Sequence, residues 1–481
     1  MVKKESQEGI TVKKDADFSE WFTQVILKAD FADYTKVGGC IVFKPNAWSI
    51  WEKIVDLVNE RIKKLGVKNV YFPMFIPESL LVKEAKHVEG FTPEVAWVTH
   101  AGETKLNEKL AVRPTSEAIM YDSFSKWIRS WRDLPLKYNQ WSNVVRWEFK
   151  HATPLLRTRE FIFNEGHTVF SSKKEAEKEQ DEILAMYKDI CDNYLALPSL
   201  IGKKTDKEKF AGAEYTTSME FMMPNGRAIQ GPDFHHDGQN FSRAYDIKFL
   251  DESGKEDYAW QNTWAISTRM LGVMLAIHSD DKGLIMPPKM AENKIVIVPI
   301  LFDDTKKKVL AEVDKIKKDL ASFNPIVDDR DGYSAGWKFN EWELKGIPIR
   351  IEIGPKDLAK KQAIVVKRTG SKTTIKIKDL RKNISRFLDD IQKELYQRAD
   401  KLLKSHITKA DNMEELLKAV KNKKIALAPM CKNVACEDHV KEKTGGAKTL
   451  NMPLKQPPIK GKKCIWCKKQ ADYLVYVGKS Y

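Results

Sequence analysis

Residues 146–167 read RWEFKHATPLLRTREFIFNEGH, which sets arginines, glutamates and histidines among aromatics and leucines of the kind that build a core. At a period of two, Arg146 and Glu148 face one side of a strand. Arg157, Arg159, Phe161, Phe163, Glu165 and His167 share one side of the next. KHATPLL between them, with Pro154, reads as a loop. The pattern is an antiparallel hairpin whose charged face admits two readings. It suits clamping a polyphosphate and stacking a base on Phe161; it is equally the solvated, salt-bridged face of a structural hairpin.

The surroundings extend the hairpin into a sheet. Trp48, Trp51, Ile54, Val55, Val58, Ile62 and Leu65 recur at helical spacing, a helix is also expected over 18–35, and VYFPMFIP reads as a strand whose Pro73 suits an edge. From 110 to 270 the pattern is mostly strand and turn, broken by one helix near 172–195. TRMLGVMLAIHSD then reads as an apolar helix. GxGxxG and GxxxxGK[ST] are absent, so the expected class is α+β with an antiparallel sheet. From KIVIVPILF onward strands alternate with helices as in a separate α/β unit. The expected domains are 1–290, 291–403 and 404–481.

A chain of 481 residues exceeds one ordinary core, and its formal charge of +15 favours a polyanionic partner such as nucleic acid. The first residues, MVKKESQEGITVKKDADF, lack the apolar run of a secretory signal. No stretch approaches the roughly 18 apolar residues of a membrane span. A soluble, cytoplasmic protein without a membrane partner is expected.

The cysteines are uneven. Cys431 and Cys436 are separated by four residues and Cys464 and Cys467 by two, spacings that suit a closed tetrahedral structural zinc site. Two unmetallated pairs are the alternative, and His439 is an alternative ligand. GAKTLNMPLKQPPIKGKK between the pairs reads as a mobile loop.

The opening stretch resembles motif 2 of the class II aminoacyl-tRNA synthetases, in the form used by prolyl-tRNA synthetases of the archaeal and eukaryotic type. The resemblance spans nearly the whole chain. GCIVFKPNAWSIWEKIVDLVNERIKKLGVKNVYFPMFIPESLL is similar to motif 1, RPTSE to the proline-binding loop, and WAISTRMLGVMLAIHSDDKGLIMPP to motif 3. DRDGYSAGWKFNEWELKGIPIRIEIGPKDL is similar to the anticodon-binding domain, and the terminal cysteines to that subgroup's extra domain. The resemblance implies a class II antiparallel-sheet catalytic domain, an α/β anticodon-binding domain and a small α+β zinc-binding C-terminal domain. It implies activation of L-proline by ATP with Mg²⁺, transfer of the prolyl group to tRNA(Pro), a homodimer formed through motif 1, structural Zn²⁺, and no editing domain between motifs 2 and 3.

By motif match, Arg146 would hold the α-phosphate and substrate carboxylate, and Arg157 and Arg269 the far phosphates, which makes these three the catalytic residues. Phe161 and Arg269 would sandwich adenine, with Glu148, Gln230, Asp233 and Thr268 completing the ATP site. Thr115, Glu117, Phe163, Glu165, His167, Phe210, His235 and Ser267 would line the proline site. Glu343, Arg350 and Lys356 would read anticodon bases, Arg and Glu being sensible partners for guanine. The family's final tyrosine, whose carboxylate packs back toward the active site, is matched by Tyr481.

On the residues alone other readings stand. PTSE is also a helix N-cap with Glu117 in the first turn. A threonine or histidine enzyme shares the fold, and a catalytically silent, tRNA-binding regulatory paralogue is the alternative function. The sequence departs from the family pattern at Phe163, where tryptophan is usual, at Asp233, where a threonine would contact the nucleotide, and at Ala265, which replaces a glycine.

Overall fold

The computed structural model describes residues 9–87, 94–147 and 152–481. Its centre is the expected hairpin. Strands Leu136–Val145 and Glu160–Phe170 pair antiparallel from Leu136 opposite Val169 to Val145 opposite Glu160. Trp260–Ala265, Ala228–Gly238, Tyr215–Met222 and Leu200–Lys203 add in turn beside Glu160–Phe170. Lys68–Asn69 pairs in parallel at the opposite edge.

One face of this sheet is apolar and covered by helices Pro45–Lys64, Lys173–Asp189 and Arg269–His278. Ile50, Ile54, Ile183, Tyr187, Leu271 and Met274 join Trp264, Phe221 and Phe234 in one core there. The helices bury the stripes that their spacing sets. The approach is close: a Cβ on Gly166 would lie 2.1 Å from the Trp264 indole, so only glycine fits between those strands. The other face carries the helix Glu117–Trp127 and the short helix Asn240–Tyr245 over Tyr121, Phe124 and Phe241.

Residues 291–403 contain a five-stranded sheet in the order Ile326–Val327, Ile295–Pro299, Ile349–Ile353, Gln362–Lys367, Lys372–Lys376. The first three strands are parallel and the rest antiparallel. Helices Lys306–Asp319 and Leu380–Ser405 pack on it through Val309, Val313, Ile384 and Ile391. The C-terminal block forms a four-stranded sheet, Ile407–Lys409, Ile425–Met430, Tyr473–Gly478, Lys448–Thr449, with its own core around Leu416, Met430, Val440 and Val475.

Several local expectations change. The helix from 18 stops at Lys28, because Asp30 takes a left-handed turn (φ 58°), and a strand follows at Ala32–Tyr34. Pro73 lies outside any strand; the strand is Phe75–Pro77. Within 110–270, read as strand and turn around one helix near 172–195, a further helix occupies Asn240–Tyr245 ahead of the strand Lys248–Leu250. The stretch read as a mobile loop contains two strands. Lys448–Thr449 joins the C-terminal sheet, and Met452–Pro453 pairs with Gly202–Lys203 as the eighth strand of the central sheet. The helix Leu380–Ser405 runs through position 403, so the chain passes into its last block without a break in that helix.

Candidate active site

The period-two pattern along each strand, combined with the register between strands, assembles the site. His167 sits opposite Tyr138 on one side and Thr263 on the other. Thr263 faces His235, and His235 faces Thr216, so a single row crosses five strands. Two residues further along, Gln140 faces Glu165, and Asp233 faces both Ala265 and Ser218. Beyond these Phe163 bridges to Ser267.

Together they surround a cavity of about 260 Å³. Thr115, Glu117, Arg146, Phe161, Phe163, Glu165, His167, Phe210, Gln230, Asp233, His235, Ser267 and Arg269 all line it, so most of the residues picked out in the sequence meet in one place. The three departures, Phe163, Asp233 and Ala265, are all in its wall.

PTSE both opens a helix and borders the cavity. Glu117 opens the helix Glu117–Trp127 and also faces the cavity. Ser116 stands at the N-cap position, yet its side chain makes no capping bond. Instead the Ser116 hydroxyl and backbone N–H (2.9 Å) donate to Glu165, as does the Thr115 hydroxyl at 3.0 Å. Thr115 also contacts Glu117. Glu165 therefore anchors the loop, and Glu117 is the carboxyl left facing the cavity with fewer donors.

Burial and the neighbouring Glu165 push the Glu117 carboxyl up to about 7. Burial raises Glu165 as well, against the pull of its hydrogen bonds. His167, hydrogen-bonded to Tyr121 at 3.2 Å, is held down to about 3 by burial and is neutral. His235 is lowered by burial, receives the Thr216 hydroxyl contact at 2.8 Å, and stacks on Phe210 with centroids 4.7 Å apart.

The cationic side of the cavity is Arg146 and Arg269. Arg146 donates to Pro114 O at 3.0 Å and lies 5.3 Å over the Phe161 ring. Arg269 starts its helix and donates to Leu156 O and Gln230 O, both at 3.0 Å. That bond needs the hairpin loop to fold back on the helix, which Gly272 permits: a Cβ there would come within 2.8 Å of Leu155. Asp233 accepts from Gln230 at 2.7 Å and lies 3.6 Å from His235.

Two expected residues among those described do not line the cavity. Arg157 is exposed on the loop, near enough to act electrostatically on Arg269. Thr268 is buried and spends its backbone N–H (2.8 Å) and its hydroxyl (3.3 Å) on Ile162, splicing the Arg269 helix to the hairpin. Glu148 lies outside the described residues. Residues the sequence reading missed are Gly166, Glu208, Thr216, Gly231, Thr263 and Trp264. Thr263 stands two residues before Ala265, so strict alternation carries a signal for it. Glu208 comes from a turn and has none.

Elsewhere, Arg350 is committed to Glu352 (2.9 and 3.1 Å) and packs 4.4 Å over Phe339, whereas Glu343 pairs with Lys282 at 3.1 Å. Lys356 lies on the short helix Pro355–Ala359. Cys431, Cys436, Cys464 and Cys467 place their sulfurs within 4.8 Å of one another, with Cys431 at 3.6 Å from Cys436 and 3.7 Å from Cys467. Zinc–sulfur bonds of about 2.3 Å arranged tetrahedrally put sulfurs about 3.8 Å apart, so the donor set fits zinc. His439 is not in this cluster and stacks on Trp466 at 4.7 Å.

An antiparallel sheet carrying two arginines and a carboxylate pair in one cavity, with a separate mixed-sheet unit after it, is the architecture of a class II aminoacyl-tRNA synthetase. Residues 97–278 match the tRNA synthetase class II core domain (G, H, P, S and T), 294–387 the anticodon binding domain, and 413–481 the prolyl-tRNA synthetase C-terminal domain. The chain belongs to the proline–tRNA ligase family. It is 46% identical over 476 residues to proline–tRNA ligase of Lachnoclostridium phytofermentans, covering 98% of each chain. It is 44% identical over 490 residues to the cytoplasmic proline–tRNA ligase of Arabidopsis thaliana, covering 100% of this chain and 92% of that one. Against the bifunctional glutamate/proline–tRNA ligase of Cricetulus griseus it is 43% identical over 507 residues, and there it spans 33% of the relative's length.

Proposed function

We propose that the protein joins L-proline to tRNA(Pro) in two steps. In the first, a carboxylate oxygen of proline attacks the α-phosphorus of ATP and the bond to pyrophosphate breaks, leaving prolyl-adenylate. In the second, a hydroxyl of the terminal ribose attacks the prolyl carbonyl and AMP departs. The carboxylate is already a nucleophile at neutral pH, so the first step needs no protein base. What needs stabilising is charge at phosphorus.

Arg146 is positioned to take the substrate carboxylate and α-phosphate, and half-buried Arg269 the outer phosphates beside an adenine stacked on Phe161. Mg²⁺, which this class uses with ATP, supplies further charge neutralisation on the phosphates. The secondary ammonium of proline goes to Thr115 and Glu117, and Phe163, Phe210, His167 and His235 enclose its ring. Neutral histidines suit that role, because two cationic ones would repel the ammonium. Arg157, exposed near Arg269, would take the leaving phosphates.

The single observation that carries this reading is the placement of Thr115, Glu117, Arg146 and Arg269 around one cavity. It also favours an active enzyme over a silent tRNA-binding paralogue, since both arginines face the space that ATP would fill. The deciding experiment is amino-acid-dependent ATP–pyrophosphate exchange. Proline is expected to give the highest rate, and greater exchange with any other amino acid overturns the assignment.

Further parts of the proposal are a zinc ion on the four cysteines, anticodon contacts from Glu343, Arg350 and Lys356, and a cytoplasmic location. No helix among the described residues is long and apolar enough to cross a membrane. Glu343 and Arg350 would exchange their present partners for bases. A homodimer is proposed because Tyr34, Val42, Trp48, Tyr71, Phe75 and Trp97 are exposed apolar side chains of the motif 1 region and the sheet beside it.

A further inference from the structure

The cavity wall that carries Glu208 and Phe210 is held by a part of the chain far along the sequence. Between the strand Leu200–Lys203 and Phe210 the backbone makes one turn, in which the N–H groups of Glu208 and Lys209 both donate to Thr205 O, at 3.1 and 2.9 Å. Phe210 then donates its N–H to the Thr216 hydroxyl at 2.9 Å, and its ring lies on His235. A turn this short has no core of its own, so its position depends on what ties it down.

Its ties run to the C-terminal block, in chain order. The Thr205 hydroxyl donates to Glu437 at 3.0 Å across 232 residues of chain, Lys207 pairs with Asp438, and Lys448 donates to Glu208 at 2.9 Å. Glu437 and Asp438 stand on the helix Val434–Lys443. Lys448 lies on the strand Lys448–Thr449, whose Thr449 hydroxyl also donates to Glu437. The ties are unequal. The two ion pairs are partly exposed and hold weakly. Thr205, Thr449 and Glu437 are 1%, 2% and 5% exposed, so their contact is shielded from water. A carboxylate withdrawn from water is costly unless donors meet it, and here two threonine hydroxyls do. One of them belongs to the turn.

The reacting centre is carried elsewhere. Phe161 stands on the hairpin, Arg146 follows the end of its first strand, and Arg269 begins the helix Arg269–His278; none of the three ties involves these elements. We propose that Glu437, through Thr205, is a positioning residue for the amino-acid substrate: it fixes the turn that carries Phe210 over the proline ring, and so sets proline affinity without touching the reacting atoms. This role rests on the proposed proline site and adds to it side chains of the C-terminal block. With the tie cut, a turn in place only about a tenth of the time lowers the apparent affinity about tenfold, while the bound complex reacts as before.

The test is ATP–pyrophosphate exchange, with proline and ATP varied in turn, in the wild type, Thr205→Val, Thr205→Ser, Glu437→Ala, the Thr205→Val/Glu437→Ala pair and Lys448→Met. Thr205→Val and Glu437→Ala should each raise the proline KM about tenfold, with kcat and the ATP KM within about twofold. Combined, they should exceed either alone by about twofold at most, because both cut one tie. Thr205→Ser keeps the hydroxyl and should stay within about twofold of the wild type throughout. Lys448→Met breaks a partly exposed pair that folding does not depend on, and should raise the proline KM alone by about twofold to threefold. A proline KM unmoved by Thr205→Val and Lys448→Met, or an equal change in kcat or the ATP KM, overturns the positioning role and leaves the proline reading intact. Should the wild type activate another amino acid best, the proline reading falls, and a Thr205→Val rise confined to that amino acid's KM keeps the positioning role; exchange with no amino acid removes both.

Discussion

Binding of proline should expel a proton from the protein, and its affinity should therefore climb with pH to about 7 and then level off. The Glu117 carboxyl, ordinarily at 4.5, is raised to about 7 by burial first and by the Glu165 charge second. At about 1.4 kcal/mol per tenfold, ionising it in the empty pocket costs ~3 kcal/mol more than in water. A cationic ammonium seated against Glu117 favours the charged form, so the bound complex holds an ionised carboxylate. An acid with a raised value is mostly protonated below it. About one pH unit under 7 only about a tenth of the free protein is ready, and binding weakens about tenfold; well above 7 nothing remains to lose. The proline ammonium is protonated throughout this window, and His167, at about 3, has already lost its proton. Because Glu117 and Glu165 share a site, the proton belongs to the pair. Calorimetry of proline binding without ATP, in buffers of different ionisation enthalpy, counts that proton directly and avoids titration of the nucleotide. Glu117→Gln should bind proline more weakly and release none. A pH-independent affinity between about 5.5 and 7, or release that survives Glu117→Gln, would refute the reasoning.

Other consequences are as direct. Arg269→Ala should reduce the exchange rate by about 10²–10³, the usual scale for a group that stabilises developing charge, and Arg157→Ala, exposed and outside the cavity, by less; the reverse order would move the phosphate site toward the loop. Gly166→Ala forces a methyl into the Trp264 ring and should cost about 1–3 kcal/mol in denaturant unfolding, so an unchanged midpoint would contradict that contact. Metal analysis of the undenatured protein should find zinc, and four single Cys→Ser variants should each lower its occupancy; none bound in the parent removes the site. Sedimentation at micromolar protein should give a dimer, and a monomer alone would leave the exposed apolar side chains around Trp48 and Tyr71 unexplained.

Much of the architecture was legible because it follows from alternation. Phe161, Phe163, Glu165 and His167 are spaced by two along one strand of the hairpin, Arg146 follows the end of the other, and the register of neighbouring strands brought His235, Asp233 and Ser267 to the same face. Four cysteines in two close pairs likewise converge as their spacing suggests. What escaped was non-local or irregular. Alternation from Ala265 would have found Thr263, but QNTWA alone does not say which face of the strand meets the cavity, and the register shift between His236 and Gly238 is not written in the local sequence. Thr268 looked like a ligand beside Arg269, but its hydroxyl is spent on the backbone of Ile162. In MPLKQPP the prolines and lysines suggest a loop, and nothing local announces that Met452–Pro453 finds an edge of a sheet more than 200 residues away in the chain.

That small strand bears on self-association. An open sheet edge offers unpaired N–H and C=O groups to any passing strand. Here Met452–Pro453 occupies the edge at Leu200–Lys203, and its proline ends the pairing with no further donor. Leu450 beside it shares an apolar cluster with Leu200, Met222 and Ile425, and Glu437, next to Cys436, reaches Thr205 at 3.0 Å. A nick in the C-terminal block would thus uncover both a pairing edge and the apolar side chains under it, and chains damaged there should self-associate before their nucleotide cavity is disturbed.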